Sequence, residues 1–194
     1  MMTMRTLENK SSFISDPFDS PEGETVRFTM VRELKDVPPE PPLPFGYRVE
    51  AWTAPILPAY ASVLAVAFAD SPELQLYPKL GSREGCLSLV KELTSGPGFL
   101  ASGSWLVIFD KEPAAMIISS RLPEEKTGQI NVVAVAPRHR RLGIGKHLVT
   151  KALWAFKDRH LPLATLRVNR SNRIAVRFFR SSGFQVSEAR SYIV

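Results

Sequence analysis

Basic side chains and closely spaced glycines are concentrated in one short stretch, residues 137–148, which reads PRHRRLGIGKHL. The stretch directly follows the apolar run INVVAVA. Glycine allows a backbone to approach a ligand closely and to adopt positive φ. The first N–H groups of a helix have no partner inside the helix and lie at the positive end of its dipole. The stretch therefore predicts a site for a phosphate-bearing ligand, and a basic surface turn is the alternative interpretation.

Two common phosphate-binding loops do not fit these letters. A Walker A loop needs a glycine five residues before its Gly-Lys pair and a serine or threonine after it, but Arg140 and His147 stand at those positions. A Rossmann loop needs glycine or alanine at its sixth position, where this chain, counted from Gly143, has Leu148. Both classes of nucleotide-binding loop are excluded on particular residues.

Two motifs together resemble those of the GNAT acyl-CoA N-acyltransferase superfamily. Arg140 to Gly145 reads R-x-x-G-x-G after a strand that ends in V-A-V-A-P. Downstream, residues 172–184, NRIAVRFFRSSGF, resemble the family element N-x-x-A-x-x-(L/F)-(Y/F)-x-x-x-G-F. The resemblance covers roughly residues 45–194. It implies direct transfer of an acyl group, with acetyl-CoA as the expected donor, to an amine acceptor whose identity the sequence does not reveal.

The resemblance also implies a fold and a set of binding residues. The fold is α+β (mixed α/β), with a mostly antiparallel central sheet in which strands four and five of the family splay apart, flanked by helices. Pantetheine would pair with the backbone of strand four, and backbone amides of the loop would hold the pyrophosphate. The implied CoA-binding residues are Val133, Ala134, Val135, Arg140, Arg141, Leu142, Gly143, Ile144, Gly145, Lys146, Asn172 and Arg173.

The catalytic positions depart from the family's pattern. The resemblance places a tyrosine acid where this chain has Phe179 and a glutamate base where it has Gln129. Neither side chain can exchange a proton, so three explanations stay open: catalysis by proximity with water relays, a substitute residue, or a catalytically silent acyl-CoA-binding module. The candidate substitutes are Tyr192, Asp70, Glu73 and Tyr77. The alternatives for them are a packed strand aromatic for Tyr192 and solvated loop acids or a helix cap for Asp70 and Glu73.

Hydrophobic periodicity predicts the elements that must position these residues. The predicted strands are 24–34, 47–52, 105–110, 114–122, 129–136, 165–169 and 184–194, and the predicted helices are 55–69, 83–96, 143–160 and 171–183. Residues 1–44 are predicted to be a flexible arm with an extra strand and a proline-rich segment, 37–44, that is either a linker or a strap. The N-acetyltransferase domain is predicted to span 45–194.

Charge and composition narrow the classes of partner. The net charge is +6, and the residues from Pro137 onward hold 13 basic side chains against two acids. This asymmetry predicts an anionic partner, and a nucleic-acid-binding domain is the less favoured alternative because no known nucleic-acid-binding motif is present. No signal peptide, membrane span or zinc-ligand spacing is recognisable, and the single cysteine, Cys86, excludes an internal disulfide. A cytoplasmic location is expected, and a homodimer stays open.

Overall fold

A computed structural model describes residues 24–122 and 124–193 of the chain. The strands are β1 (Glu24–Glu33), β2 (Tyr47–Ala51), β3 (Trp105–Phe109), β4 (Glu112–Leu122), β5 (Thr127–Val135), β6 (Leu163–Asn169) and β7 (Gln185–Ile193). The α-helices are α1 (Leu57–Phe68), α2 (Arg83–Ser95), α3 (Ile144–Lys157) and α4 (Arg173–Ser181). Each predicted strand and helix corresponds to one of these elements, with shifts of a few residues at the ends.

The seven described strands form one sheet in the order β2-β3-β4-β5-β6-β1-β7. Every neighbouring pair is antiparallel except β5 and β6, which are parallel. A parallel pair needs a crossover connection rather than a hairpin, and α3 provides it. The predicted mixed α/β fold with a mostly antiparallel sheet is therefore confirmed.

The helices cover both faces of the sheet, so its central strands are buried on both sides. Met116 and Ile118 of β4 pack in one cluster with Tyr60 of α1. Ile117, between them in the sequence, packs on the other face with Leu148 of α3. The alternation of side chains along a strand accounts for this division, and it explains why the central strands read as continuous apolar runs.

Helix α3 packs directly against the backbone of β5 at Gly128. A Cβ atom at Gly128 would lie 2.3 Å from the ring of Phe156, well inside van der Waals contact. Because glycine has no Cβ atom, the Phe156 ring of α3 can contact the backbone of β5 at this position. This close packing holds the last turn of α3 against the first residues of β5.

The N-terminal strand is an interior member of the sheet. β1 pairs with β6 on one side and with β7 on the other. The expected domain boundary at Phe45 accordingly falls between two strands of one sheet. Residues 1–23 of the expected arm lie outside the described residues.

The proline-rich segment after β1 lies along α3 as a strap. Trp154 Nε1 donates a hydrogen bond to the Pro38 carbonyl at 2.8 Å, and His147 Nδ1 lies 2.7 Å from the Pro41 carbonyl. Lys151 Nζ lies 3.3 Å from a carboxylate oxygen of Glu40. Of the two interpretations of this segment, the structure shows the strap, because an extended chain without internal hydrogen bonds leaves its carbonyls available to α3.

Candidate functional site

The central sheet opens into a crevice between β5 and β6. The two strands pair only from Thr127 opposite Leu163 to Ile130 opposite Leu166. Beyond this point β5 stays paired with β4, and β6 stays paired with β1. The strands therefore continue side by side without pairing with each other, which confirms the predicted splay.

A β-bulge marks the point where the strands separate. On β4, Ile118 lies opposite Val132 and the next residue, Ser119, lies opposite Ile130, so Asn131 is an extra residue in β5. A bulge bends its strand and increases the local twist. The bend directs the end of β5 away from β6, and the crevice begins there.

The backbone of β5 turns two residues toward the crevice. The Ala136 nitrogen donates to the Ala114 carbonyl, near the start of β4, at 2.9 Å, and backbone groups alternate between the two edges of a strand. Ala134 therefore faces β4, while the main-chain groups of Val133 and Val135 face the crevice. Their side chains pack against the core on the α3 side. The backbone role predicted for these valines is thus compatible with their packing.

Arg140 fixes the loop that joins β5 to α3. Its Nε donates to the Val135 carbonyl at 3.1 Å, and its Nη2 donates to the Ala67 carbonyl at 2.9 Å. Ala67 lies in the last turn of α1, where carbonyl groups lack partners inside the helix and a cation is favoured. The side chain of Arg140 therefore holds the loop in place, and its charge is directed at protein carbonyls.

The end of this loop exposes a row of backbone N–H groups. Arg141 and Gly143 both have left-handed backbone angles, with φ of 65° and 81°, and Gly143 caps α3 without a side-chain hydrogen bond. The first bond of the helix runs from the His147 nitrogen to the Gly143 carbonyl at 3.0 Å. Within the described parts of the chain, the N–H groups from Arg141 to Lys146 therefore have no acceptor. Such consecutive donors at a helix N-terminus form an anion-binding concavity.

This row of donors, which we call the amide cradle (residues 141–146), lies at the end of the crevice. A Cβ atom at Gly145 would lie 3.4 Å from the ring of Phe178 in α4 and 3.6 Å from Val135 in β5. A Cβ atom at Gly143 would meet no atom within 4 Å. The cradle is thus close to α4 and β5 at Gly145 and open at Gly143.

The electrostatic surroundings of the cradle are positive. Arg138, Arg141 and Lys146 are exposed, and the sequence has no acidic residue between Lys126 and Asp158. His139 adds no charge at neutral pH, because burial and the neighbouring Arg138 lower its pKa. The cradle therefore combines unpaired amides with cationic side chains, as a pyrophosphate requires.

The two residues at the family's proton-transfer positions have other surroundings. Phe179 is buried in the core, with its ring centroid 5.1 Å from that of Phe178 and 6.0 Å from that of Phe184. Gln129 is half-buried in the last paired section of β5, opposite Thr165 of β6. Packing explains a phenylalanine in α4, and neither residue can exchange a proton.

The substitute candidates occupy different places. Tyr192 is 39% exposed on β7, and β1 separates it from β6 and the crevice. Asp70 is exposed at the end of α1, and Tyr77 is 37% exposed in the following segment. Glu73 is buried, and its Oε1 accepts a hydrogen bond from the Asn169 nitrogen at 2.9 Å. The interpretation of Glu73 as a solvated loop acid is therefore wrong, because long-range contacts that its local sequence does not reveal bury it.

The two predicted binding residues of α4 lie at the start of that helix, next to the end of β6. Asn172 caps the helix, accepting from the Ala175 nitrogen at 3.2 Å, and its Nδ2 lies 3.5 Å from Glu73 Oε1. Arg173 is exposed. Asn172 thus has a positioning role in the structure, and its predicted closeness to pantetheine stays a prediction.

Neither a metal-binding cluster nor a membrane-spanning helix occurs in the described residues. Residues 24–122 and 124–193 contain no group of three or more histidine, cysteine or acidic side chains that could hold a metal ion. No helix within those ranges is long and apolar enough to cross a membrane.

Comparison with known proteins identifies the class that this fold and crevice define. A GCN5-related N-acetyltransferase from Sphaerobacter thermophilus shares the fold with a TM-score of 0.67 at 19% identity, over 87% of this chain and 50% of that chain. PaiA N-acetyltransferase from Thermoplasma acidophilum, solved in complex with coenzyme A, gives a TM-score of 0.58 at 16% identity, over 75% of this chain and 99% of that chain. The fold is that of N-acetyltransferases.

The sequence profile of the acetyltransferase (GNAT) family matches residues 83–184, which include the crevice and the amide cradle. The chain belongs to this family, so the resemblance inferred from the two motifs is confirmed. Mycothiol acetyltransferase from Thermomonospora curvata is 31% identical over 163 residues, 82% of this chain and 51% of that protein. Mycothiol acetyltransferase from Streptomyces coelicolor is 30% identical over 151 residues, 77% of this chain and 46% of that protein. The chain thus spans about half the length of the curated relatives it matches.

Proposed function

We propose that this chain transfers the acetyl group of acetyl-CoA to the nitrogen of an amine. The observation that carries the proposal is the amide cradle at the end of a crevice that opens through the sheet, where six consecutive N–H groups have no acceptor among residues 24–122 and 124–193. Membership of the acetyltransferase (GNAT) family supports acetyl-CoA as the donor. The acceptor is an amine, which the family's chemistry supports in general terms.

The residues present suit the parts of acetyl-CoA. The amides of the cradle would bind the pyrophosphate, with Arg141 and Lys146 adding charge. The main-chain groups of Val133 and the Val135 nitrogen would pair with pantetheine, as one strand pairs with another, while the Val135 carbonyl accepts from Arg140. Arg173, exposed at the start of α4, would reach the 3′-phosphate. Arg140 would act as a positioning residue, since its guanidinium is directed at the carbonyls of Val135 and Ala67.

The reaction proposed is a direct transfer between two bound substrates. The lone pair of the neutral amine attacks the thioester carbonyl, a C–N bond forms and the C–S bond breaks. The amine nitrogen loses one proton, and the departing thiolate takes one to give free CoA. Binding both reactants in one crevice can supply a large part of the rate, because it replaces a bimolecular encounter by a positioned one.

Proton transfer in this proposal does not depend on a side chain at the family's positions. Phe179 is buried among aromatic rings, and Gln129 has no proton to exchange at neutral pH. The amine would reach the site in its neutral form, or water would remove its proton. The candidate side chains for proton transfer are Tyr192, Asp70, Glu73 and Tyr77, of which Tyr192 is separated from the crevice by β1.

Burial of Phe179 also favours one alternative, a module that binds acyl-CoA without turnover. Incubation of the protein with acetyl-CoA and a panel of primary amines, with release of CoA thiol as the readout, separates the two. Amine-dependent thiol release together with a stoichiometric N-acetyl product would support transfer. Tight binding of acetyl-CoA with no amine-dependent release would support the silent module.

A further inference from the structure

A second cationic site lies on the sheet, on the face opposite α3. Arg27 of β1, Arg167 of β6 and Arg190 of β7 line one pocket, together with Thr29 and Tyr192. We call this group the strand-arginine pocket. The three arginines come from three adjacent strands, since β1 lies between β6 and β7.

Strand register shows that these side chains share one face. Arg27 lies directly opposite Arg190, and Thr29 lies opposite both Arg167 and Glu188. Cross-strand partners share a face, and so do residues two apart along a strand. The other face of β1 carries Met30, which packs in the core with α3.

The connection between α1 and α2 places the pocket on the side of those helices. Arg27 Nη1 donates a hydrogen bond to the Tyr77 hydroxyl, and its guanidinium carbon lies 4.9 Å from the centre of the Tyr77 ring. Glu73 in the same segment is bonded to the end of β6 through the Asn169 nitrogen. The amide cradle begins α3, on the opposite face. Two cation-rich sites thus lie on opposite faces of the sheet.

Arg167 connects the pocket to the crevice. The β5–β6 ladder ends at Leu166, so Arg167 is the first residue of β6 in the splayed section. Its side chain is exposed, and no hydrogen bond or ion pair joins it to another residue within the described ranges. An amine that enters from this face would pass Arg167 on its way to a thioester in the crevice.

The pocket carries an excess of positive charge, which lowers the stability of the sheet. Arg27 and Arg190 form a like-charged cross-strand pair, an arrangement that is unfavourable in a sheet. Glu188 offsets one charge, since it lies 2.7 Å from Arg190 Nε. Arg27 has the Tyr77 hydroxyl as its hydrogen-bond partner, and no ion pair joins Arg167 to an acid within the described ranges. Residues that break a local rule of stability are expected where a ligand repays the cost.

From this geometry we infer that the amine acceptor carries an anionic group, a carboxylate or a phosphate, which the strand-arginine pocket binds. This inference rests on the proposed acetyl transfer and names the class of its acceptor. Arginine suits such a group because its planar guanidinium donates paired hydrogen bonds to carboxylate or phosphate oxygens. The anion binds at Arg167 and Arg27, and the amine of the same molecule extends into the crevice.

The test compares matched acceptors that differ only in the anion. One pair is 4-aminobutanoate and 4-aminobutanamide, and the other is O-phosphoethanolamine and ethanolamine. The ratio of kcat/KM, anionic over neutral, is measured in each pair for the wild-type chain and for Arg167→Gln, Arg167→Lys and Arg48→Gln. Arg48 lies on β2 at the opposite edge of the sheet and is paired with Glu50, so its variant controls for loss of a surface arginine.

We expect the wild-type chain to prefer the anionic member of at least one pair, which also distinguishes a carboxylate from a phosphate. Loss of a charge-assisted hydrogen bond should reduce this ratio about 10- to 100-fold in Arg167→Gln, mainly through KM. Arg167→Lys should recover part of the ratio, and Arg48→Gln should leave the ratio as it is in the wild-type chain. Equal kcat/KM within both pairs, or a preference that survives Arg167→Gln, would overturn the inference.

Calorimetric titration of the same acceptors against the CoA-bound protein separates this inference from the proposed function. If no amine is acetylated, the proposed transfer fails, but tighter binding of the anionic member that is lost in Arg167→Gln would still support the pocket. Equal binding of both members would overturn it. Acetylation without any preference for an anion would support the proposed function and contradict the inference that the acceptor carries an anionic group.

Discussion

The carboxylate of Glu73 accepts a hydrogen bond from the backbone nitrogen of Asn169, across 2.9 Å and 96 positions of sequence. Asn169 is the last residue of β6, so this bond joins the segment after α1 to the wall of the crevice. Glu73 is 7% exposed, and its loss would leave a buried N–H group without an acceptor. The segment that carries Tyr77 and the strand that carries Arg167 are thereby held together.

Removal of this acceptor should destabilise the protein. We expect Glu73→Ala to lower the free energy of unfolding by about 1–3 kcal/mol, because a buried donor loses its partner. Glu73→Gln keeps a carbonyl oxygen that can accept from Asn169, and it should lose clearly less. Urea unfolding of the three proteins measures both differences. Equal free energies of unfolding for Glu73→Ala and the wild-type chain would show that this hydrogen bond does not stabilise the protein.

Arg140 and Arg141 are adjacent arginines with different expected effects on stability. Arg140 donates to the carbonyls of Val135 and Ala67, so Arg140→Ala should lower the free energy of unfolding by about 0.5–1.5 kcal/mol. Arg141 is exposed, and Arg141→Ala should stay within about 0.5 kcal/mol of the wild-type chain. Denaturant titration of both variants is the measurement. Equal losses in the two would contradict the positioning role of Arg140.

His139 should make stability depend on pH. Burial, and then Arg138, lower its pKa from the ordinary value of 6.5. The unfolded chain therefore takes up a proton at higher pH than the folded chain does. Folding stability should be fully present above about pH 6.5 and should fall as the pH drops below it.

The comparison for this prediction is between two histidine variants. His139→Gln should reduce the loss of unfolding free energy between pH 7 and pH 5, while His160→Asn, at an exposed position with a φ of 57° that asparagine tolerates, should retain it. Chemical denaturation at several pH values gives these differences. If the unfolding free energy of His139→Gln changed with pH as much as that of the wild-type chain, the pH dependence would belong to other groups.

Catalysis without a base at Gln129 predicts a particular pH profile. If the amine reacts in its neutral form, kcat/KM should rise about tenfold per pH unit until it levels off at the pKa of the acceptor amine. Acceptors with lower amine pKa values should shift this point accordingly. A plateau at one pH for every acceptor would instead report an ionising group of the enzyme. Gln129→Glu, which introduces a carboxylate at the family's base position, should raise the rate at low pH.

The position of the cradle could be predicted from the sequence because it depends on neighbouring residues. Gly143, Gly145 and the arginines before them occur in one short stretch, and helix-terminal amides follow from where α3 begins. The partners of Glu73 and Arg140 could not be predicted, since Asn169 and Ala67 are distant in sequence and come close only in the folded chain. Backbone donors and acceptors have no signature in the sequence, because every residue type except proline supplies both.

The position of β1 shows the same limit for the sheet. The alternation of Val26, Phe28 and Met30 predicts a strand with one apolar face, and the structure has that strand. Alternation specifies the faces of a strand but not its neighbours, so a place between β6 and β7 could not be predicted. The strand-arginine pocket needs this placement, because Arg27 joins the other two arginines only when β1 lies between their strands.

The central claim, that the amide cradle binds the pyrophosphate of acetyl-CoA, is tested most directly at Gly143. Asparagine and aspartate both tolerate its positive φ, a Cβ there meets no atom within 4 Å, and the two side chains have nearly the same shape and differ in charge. Isothermal titration calorimetry of acetyl-CoA with Gly143→Asn and Gly143→Asp is the measurement. We predict that Gly143→Asn retains most of the wild-type affinity and that Gly143→Asp binds at least about tenfold more weakly than Gly143→Asn, a difference of roughly 1.4 kcal/mol. Equal affinity of the two variants for acetyl-CoA would contradict the claim.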